Sequence, residues 1–136
     1  MSWAQSLIKL RKFEIDELRK RLGVILERRG ALEASLVALD AEAARETAHA
    51  REHAEAGFYL IGFRAGWKQR RARVETELRA LAPEEAGARD AISDAFEGLK
   101  TVEQVAANMA ATEAKAVAHR ESQALDELAM RRRAAP

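Results

Sequence analysis

The chain has 136 residues, of which 33% are charged and only 5% aromatic, with a net charge of +1. This balance offers no large basic field for nucleic acid or a membrane surface, and the absence of cysteine removes disulfides and thiolate metal sites. Ala, Glu, Leu and Arg dominate, which is typical of long helices and coiled coils. We expect no secretory signal, no membrane-spanning segment and a soluble cytoplasmic protein.

The first predicted element is a helix over about residues 2–55, with Ser2 as its N-cap. It carries a nearly unbroken seven-residue repeat, in which positions alternate by four and three. Such a period keeps one narrow seam facing a partner helix and predicts a coiled coil. The predicted seam comprises Ala4, Ile8, Arg11, Ile15, Leu18, Leu22, Ile25, Arg29, Leu32, Leu36, Leu39, Ala43, Glu46 and Ala50.

A turn is predicted over about residues 56–63, where glycines and aromatic residues interrupt the repeat. A second helix follows over about residues 64–133. Proline followed by two acidic residues favours a helix start, so we expect a kink or short break near Pro83. The second predicted seam comprises Val74, Leu78, Leu81, Ala88, Ile92, Ala95, Leu99, Val102, Ala106, Met109 and Ala116.

Two long seams joined by one short turn predict an all-α fold, a single domain over residues 1–136 built as a long antiparallel two-helix coiled-coil hairpin. The second arm is the longer one, so part of it should project past the N-terminus. A two-helix rod has almost no interior for an active site. We therefore expect contact rather than chemistry: no enzyme, no cofactor and no small-molecule substrate.

Two features could still carry chemistry. His49 and His53 are four residues apart, a spacing that places two imidazoles on one helix face, but the third histidine, His119, should lie far from them. We favour two solvated histidines over a metal site. Basic clusters are interleaved with acids, so we favour a solvated face with intrahelical ion pairs over nucleic-acid binding.

The aromatic residues at the predicted tip are Phe58, Tyr59, Phe63 and Trp67. A hairpin tip has few neighbours, so these side chains cannot all be buried in a two-helix monomer. Clustered exposed aromatics are typical of a partner-binding site. In the competing interpretation they fold over one another and cap the hairpin.

Both ends of the chain resemble a known family. The opening Ser6-Leu7-Ile8-Lys9-Leu10-Arg11-Lys12, followed by Glu17-Leu18 and Leu22-Gly23, is similar to the start of the FliJ proteins of the bacterial flagellar export apparatus. The segment Gln123-Ala124-Leu125-Asp126-Glu127-Leu128-Ala129-Met130-Arg131-Arg132 is similar to the acidic-to-basic ending of that family.

The resemblance implies a cytoplasmic antiparallel coiled coil, peripherally associated with the cytoplasmic face of the flagellar export apparatus. It implies that the terminal end of the hairpin inserts into the hexameric ring of the export ATPase and promotes its assembly and activity. Further implied partners are the cytoplasmic domain of the export gate and export chaperones. On that picture the residues at the ring end are Ile8, Arg11, Leu125, Leu128, Arg131, Arg132 and Arg133.

Gate contacts in this family use aromatic residues along the arms of the hairpin. The matching stretch of this chain, around Ala41 to Ala50, is mostly alanine. The tip aromatics are therefore our own hypothesis for the gate contact. Two alternatives stay open from the sequence: the equivalent stalk of an injectisome secretion system, and an oligomeric coiled-coil structural or chaperone-like module. A nucleic-acid clamp is the third interpretation.

Overall fold

The structure is a computed structural model, and it describes residues 2–135. Helix α1 spans Trp3–Glu52, a short 3-10 turn spans Ala54–Ala56, and helix α2 spans Gly57–Ala134. The described range contains no strand, which confirms the predicted all-α fold. None of its helices contains an apolar stretch that could cross a bilayer.

Ser2 caps the start of α1. Its hydroxyl accepts a 3.2 Å hydrogen bond from the backbone N–H of Gln5, and its own backbone N–H donates at 3.2 Å to the Gln5 side-chain carbonyl. This reciprocal pair is a capping box, which satisfies donors that have no partner inside the helix. The N-cap predicted from the sequence is thus at Ser2.

Residues 16–93 form one compact unit, an antiparallel pair of helical arms. Leu39, Leu81 and Ala88 are buried there. Ion pairs between the two helices show that the arms are antiparallel, because a residue later in α1 pairs with a residue earlier in α2. Arg28 pairs with Glu77, whereas Glu42 pairs with Arg70. The described parts of residues 1–15 and 94–136 form the second unit.

In this second unit the buried side chains are Ala4, Ile15 and Leu99. Half-buried residues recur along α2 as far as Ala106. Beyond that point every residue over the range 107–135 is exposed, although α2 continues to Ala134. This stretch, residues 107–134, is called the terminal segment below. It is a helix without a helical neighbour among the described residues.

The burial pattern follows the predicted seams closely. In α1 every predicted seam position is buried or half-buried except Arg29 and Glu46. In α2 the same holds up to Ala106, and only Met109 and Ala116 are exposed. Arg29 leaves the seam to form a cross-helix ion pair with Glu85. The seven-residue repeat therefore identifies the packed face of both helices.

The structure corrects the predicted turn at about residues 56–63. Helix α1 ends at Glu52 and α2 already begins at Gly57, so the connection between the two α-helices lies at residues 53–56 and includes the 3-10 turn. His53 has extended backbone angles, with φ −129° and ψ 102°. Glycine costs only about 1 kcal/mol in a helix interior. Packing of Phe63 and Trp67 along the seam offsets this cost.

Of the kink or short break expected near Pro83, the break is absent, because α2 runs through Pro83 without interruption. The kink stays a prediction. Proline lacks a backbone N–H, so the carbonyl of Arg79 loses its usual partner four residues on. Pro83 itself is exposed, while Leu81 and Ala88 on either side are buried in the seam. Seam packing on both sides therefore holds the helix across the proline.

Candidate partner-binding surfaces

The four aromatic residues predicted at the tip divide into two pairs. Phe58 and Tyr59 are 86% and 85% exposed. Phe63 and Trp67 are half-buried and extend the α2 seam towards its first turn. The structure therefore leaves only Phe58 and Tyr59, together with the exposed Ile61, as free apolar surface beside the connection. Neither interpretation of the sequence holds for all four residues.

Trp67 joins the two arms directly. Its indole Nε1–H donates a 2.7 Å hydrogen bond to the backbone carbonyl of Leu39 in α1. The guanidinium carbon of Arg71, one turn further along α2, lies 5.8 Å from the centre of the indole ring. Buried or half-buried tryptophan usually satisfies its N–H in this way, and the cation–π contact adds to the attraction. Trp67 is thus part of the helix–helix contact.

Arg71 also organises the charges beside Trp67. Its Nε lies 3.0 Å from Asp40 Oδ1 across the helices, and its Nη1 pairs with Glu75 in the same helix. The hydrogen bond from Arg71 and its positive charge lower the pKa of the Asp40 carboxyl below its ordinary value of 3.8. The same hydrogen bond raises the pKa of Arg71. Both groups stay charged near neutral pH.

A groove runs beside the connection between the helices. One part of it, about 580 Å³, is lined by Glu46, Phe58, Tyr59, Gly62 and Phe63. The adjoining part, about 600 Å³, is lined by Glu46, His49, Glu55, Ala56, Tyr59 and Leu60. Because Glu46 and Tyr59 belong to both parts, we treat them as one surface and call it the tip groove.

The terminal segment holds most of the residues that the family resemblance places at the ATPase ring. Leu125 and Leu128 are 69% and 53% exposed, and Arg131, Arg132 and Arg133 occupy the last turn of α2. Positive charge there is favoured by the helix dipole. Leu125 lies about 28 Å along the helix axis from Ala106, the last half-buried residue of α2.

Ile8 and Arg11 are also predicted to lie at the ATPase ring, but their environment differs from that of the other five residues in that prediction. Both are half-buried seam residues of α1. Arg11 Nη1 donates a 3.2 Å hydrogen bond to Glu14 Oε2, while its Nε is buried without a hydrogen-bond partner among the described residues. The structure therefore places these two side chains within the helix packing, whereas Leu125, Leu128 and the three arginines lie on the unpaired terminal segment.

The histidine pair shows no metal-site geometry. The rings of His49 and His53 stack with their centres 4.4 Å apart, and His53 Nδ1 lies 3.2 Å from the backbone carbonyl of His49. Within residues 2–135 no cluster of three or more potential ligand side chains could hold a metal ion. Both histidines are exposed to solvent.

A second groove lies where α2 carries small residues at positions facing α1. It measures about 580 Å³, and its lining comprises Leu18, Arg21, Val24, Ile25, Pro83, Glu84, Gly87, Ala88 and Ala91. Val24, an apolar side chain in this lining, is 65% exposed. No element of the described chain covers it.

Glu46 is the functional candidate that sequence reasoning did not single out. It occupies a seam position of the repeat, where a charged residue is unfavourable. The structure turns it outward, so that it is exposed and lines both parts of the tip groove. The signal in the sequence was the interruption of an apolar repeat by an acid close to the turn.

Comparison with known proteins identifies the family. The chain is 46% identical over 132 residues to a protein named "Flagellar FliJ protein" from Caulobacter vibrioides strain NA1000 / CB15N, covering 97% of this chain and 95% of that protein. The protein of the same name from strain ATCC 19089 / CB 15 matches with the same identity and coverage. No protein-family model and no solved structure matches significantly. Similarity of this extent shows that the chain belongs to the FliJ family.

Proposed function

We propose that the protein is a non-enzymatic stalk and adaptor of the bacterial flagellar type III export apparatus. In this role it inserts its terminal segment into the hexameric ring of the export ATPase and stimulates that enzyme. It also contacts the cytoplasmic domain of the export gate and export chaperones, and it associates peripherally with the cytoplasmic face of the apparatus. Family membership supports the flagellar system over an injectisome, because both relatives are named as flagellar proteins.

The observation that carries the proposal is the terminal segment. No residue of this helix over the range 107–134 is buried or half-buried, so its exposed apolar side chains are available to another protein. Leu125, Leu128 and Met130 lie immediately before the three arginines. Methionine and arginine are enriched in protein interfaces, and the two exposed leucines add apolar area beside them.

The experiment is a titration of the cognate flagellar export ATPase with the full chain. We expect hydrolysis to rise and to saturate near one chain per hexamer. Replacing Arg131, Arg132 and Arg133 together with alanine should weaken the stimulation. The matched control removes the same charge at three exposed arginines outside the terminal segment, Arg45, Arg51 and Arg64, and should stimulate like the wild type. No effect of the wild type on hydrolysis or hexamer formation would overturn the stalk role.

The same exposed segment also supports a second candidate, self-association into an oligomeric coiled-coil module. Met109, Val117 and Leu128 are exposed apolar side chains that an identical helix could cover. Light scattering after gel filtration at micromolar concentration separates the two roles. A monomer favours the stalk, because its segment then awaits another protein, whereas a stable dimer or higher oligomer favours the module.

A further inference from the structure

The tip groove combines apolar walls with open space. Phe58 and Tyr59 are the most exposed of the large apolar side chains described, and both line the groove. Gly62 lies between them along the helix surface, and a methyl group added there would meet no atom within 4 Å. Gly62 therefore leaves open space beside two accessible aromatic rings, and an aliphatic side chain packed against those rings would be partly removed from water.

The charged side chains that line the tip groove are carboxylates. Glu46 and Glu55 line it, and neither forms an ion pair within the part of the chain that the structure describes. Other acids near the helix–helix contact are neutralised across it: Asp40 by Arg71, Glu42 by Arg70 and Glu77 by Arg28. No lysine or arginine lines the groove, and His49 is the remaining ionisable group.

We propose that the tip groove binds a short apolar segment of a partner protein that carries a lysine or arginine. The aliphatic side chain packs against Phe58 and Tyr59, and the cation lies near Glu46 and Glu55, where the aromatic rings attract it further. An anionic lipid surface would be repelled by the same two carboxylates, which favours a protein partner. The inference rests on the proposed adaptor role and adds the chemistry of the segment that this surface accepts.

The test uses the full chain and two synthetic helical peptides that differ only in charge. One carries leucine along one face of its helix and lysine along the other, and the second peptide has glutamate at each lysine position. Amide chemical shifts of the labelled protein report the site, and fluorescence anisotropy of the labelled peptide reports affinity. We expect the lysine peptide to bind and to move signals of Glu46, Tyr59 and Gly62. The glutamate peptide should bind much more weakly.

Two variants separate the contribution of the carboxylates to peptide binding from that of the aromatic ring. Replacing Glu46 and Glu55 together with glutamine should weaken binding of the lysine peptide about fivefold, as expected for two solvent-exposed charge pairs. Tyr59→Ala should weaken it further at unchanged charge. The control, Glu113→Gln with Glu121→Gln, removes the same charge from the terminal segment and should leave the affinity unchanged.

Three results would overturn the inference. The first is equal affinity for both peptides, and the second is an unchanged affinity in the Glu46/Glu55 variant. The third is binding of the full chain to vesicles of anionic phospholipid through Phe58, which would identify a membrane surface instead. The peptide measurement requires no ATPase. Loss of ATPase stimulation with intact peptide binding would therefore reject the stalk role alone, and the reverse result would reject the tip groove alone.

Discussion

The indole N–H of Trp67 in α2 donates a hydrogen bond of 2.7 Å to the backbone carbonyl of Leu39 in α1. A coiled-coil seam of aliphatic side chains can slide by a whole repeat at modest cost, because its contacts are alike along its length. A directed bond from a half-buried side chain to one particular carbonyl exists in only one alignment. Trp67 therefore adds a contact that is available only in the observed alignment of the two arms near the connection.

Trp67→Phe tests this hydrogen bond. The substitution keeps an aromatic ring in the seam and removes the donor, so we expect a loss of stability of about 0.5–1.5 kcal/mol. Urea denaturation followed by circular dichroism measures the change. The matched control is Trp3→Phe, since Trp3 is 59% exposed, and its midpoint should stay at the wild-type value. Equal losses of stability in Trp67→Phe and Trp3→Phe would contradict a contribution of the Trp67 hydrogen bond to the alignment of the arms.

The Asp40–Arg71 pair should make stability depend on acidic pH. Its hydrogen bond lowers the folded-state pKa of Asp40 below 3.8, so the unfolded chain binds a proton first as the pH falls. The stabilisation is present above the unfolded pKa and is lost as the pH falls through the folded pKa. Asp40→Asn should therefore lower the melting temperature at neutral pH, and the difference from the wild type should vanish in strong acid.

The control for this titration is Asp94→Asn, which removes an exposed carboxylate that forms no ion pair within residues 2–135. Its melting temperature should follow that of the wild type across the same range. A gap between Asp40→Asn and the wild type that persists unchanged in strong acid would show that the effect of Asp40 is not electrostatic.

Pro83→Ala should stabilise the protein. The alanine restores the backbone donor for the carbonyl of Arg79 in a helix that already runs through this position. Because proline in a helix interior costs about 3 kcal/mol, we expect a gain of up to about that size in the free energy of unfolding. Pro83→Gly restores the same donor but has the lower helix propensity, so its gain should be about 1 kcal/mol smaller.

Removing the terminal segment should leave the packed part of the molecule stable. A chain ending after Ala106 loses no described residue that is buried or half-buried, so the urea midpoint of the remaining hairpin should hardly change while the total helix signal falls. A chain ending before Leu99 loses a buried seam residue and should unfold at lower urea. Equal midpoints for the two truncations would contradict this division of α2.

The packed face of the helices could be predicted from the sequence, whereas the position of the connection could not, and the physical reasons differ. Burial of aliphatic side chains repeats every seven residues, so Leu39 and Leu81 could be assigned to the seam from spacing alone. Gly57 and Gly62 have low intrinsic helix propensity, but propensity is a weak term that packing of Phe63 and Trp67 overrides. A propensity-based turn was therefore placed several residues too late.

The candidate surfaces were predictable to a similar, partial extent. The exposure of Phe58 and Leu125 follows from their positions outside the seam. The hydrogen bond of Trp67 and the outward position of Glu46 depend on the alignment between the arms, which the repeat leaves undefined by multiples of seven. Cross-helix pairs such as Arg71 with Asp40 depend on the same alignment.

The nearly unbroken seven-residue repeat also restricts how these arms could change in length. One inserted or deleted residue turns everything beyond it by about 100° around the helix axis and carries the apolar stripe away from its partner. Seven residues restore the stripe but displace the cross-helix pairs, unless the opposite arm changes by seven as well. We therefore expect naturally longer or shorter relatives to differ by matched heptads on the two sides of the connection, with the terminal segment free to vary one residue at a time.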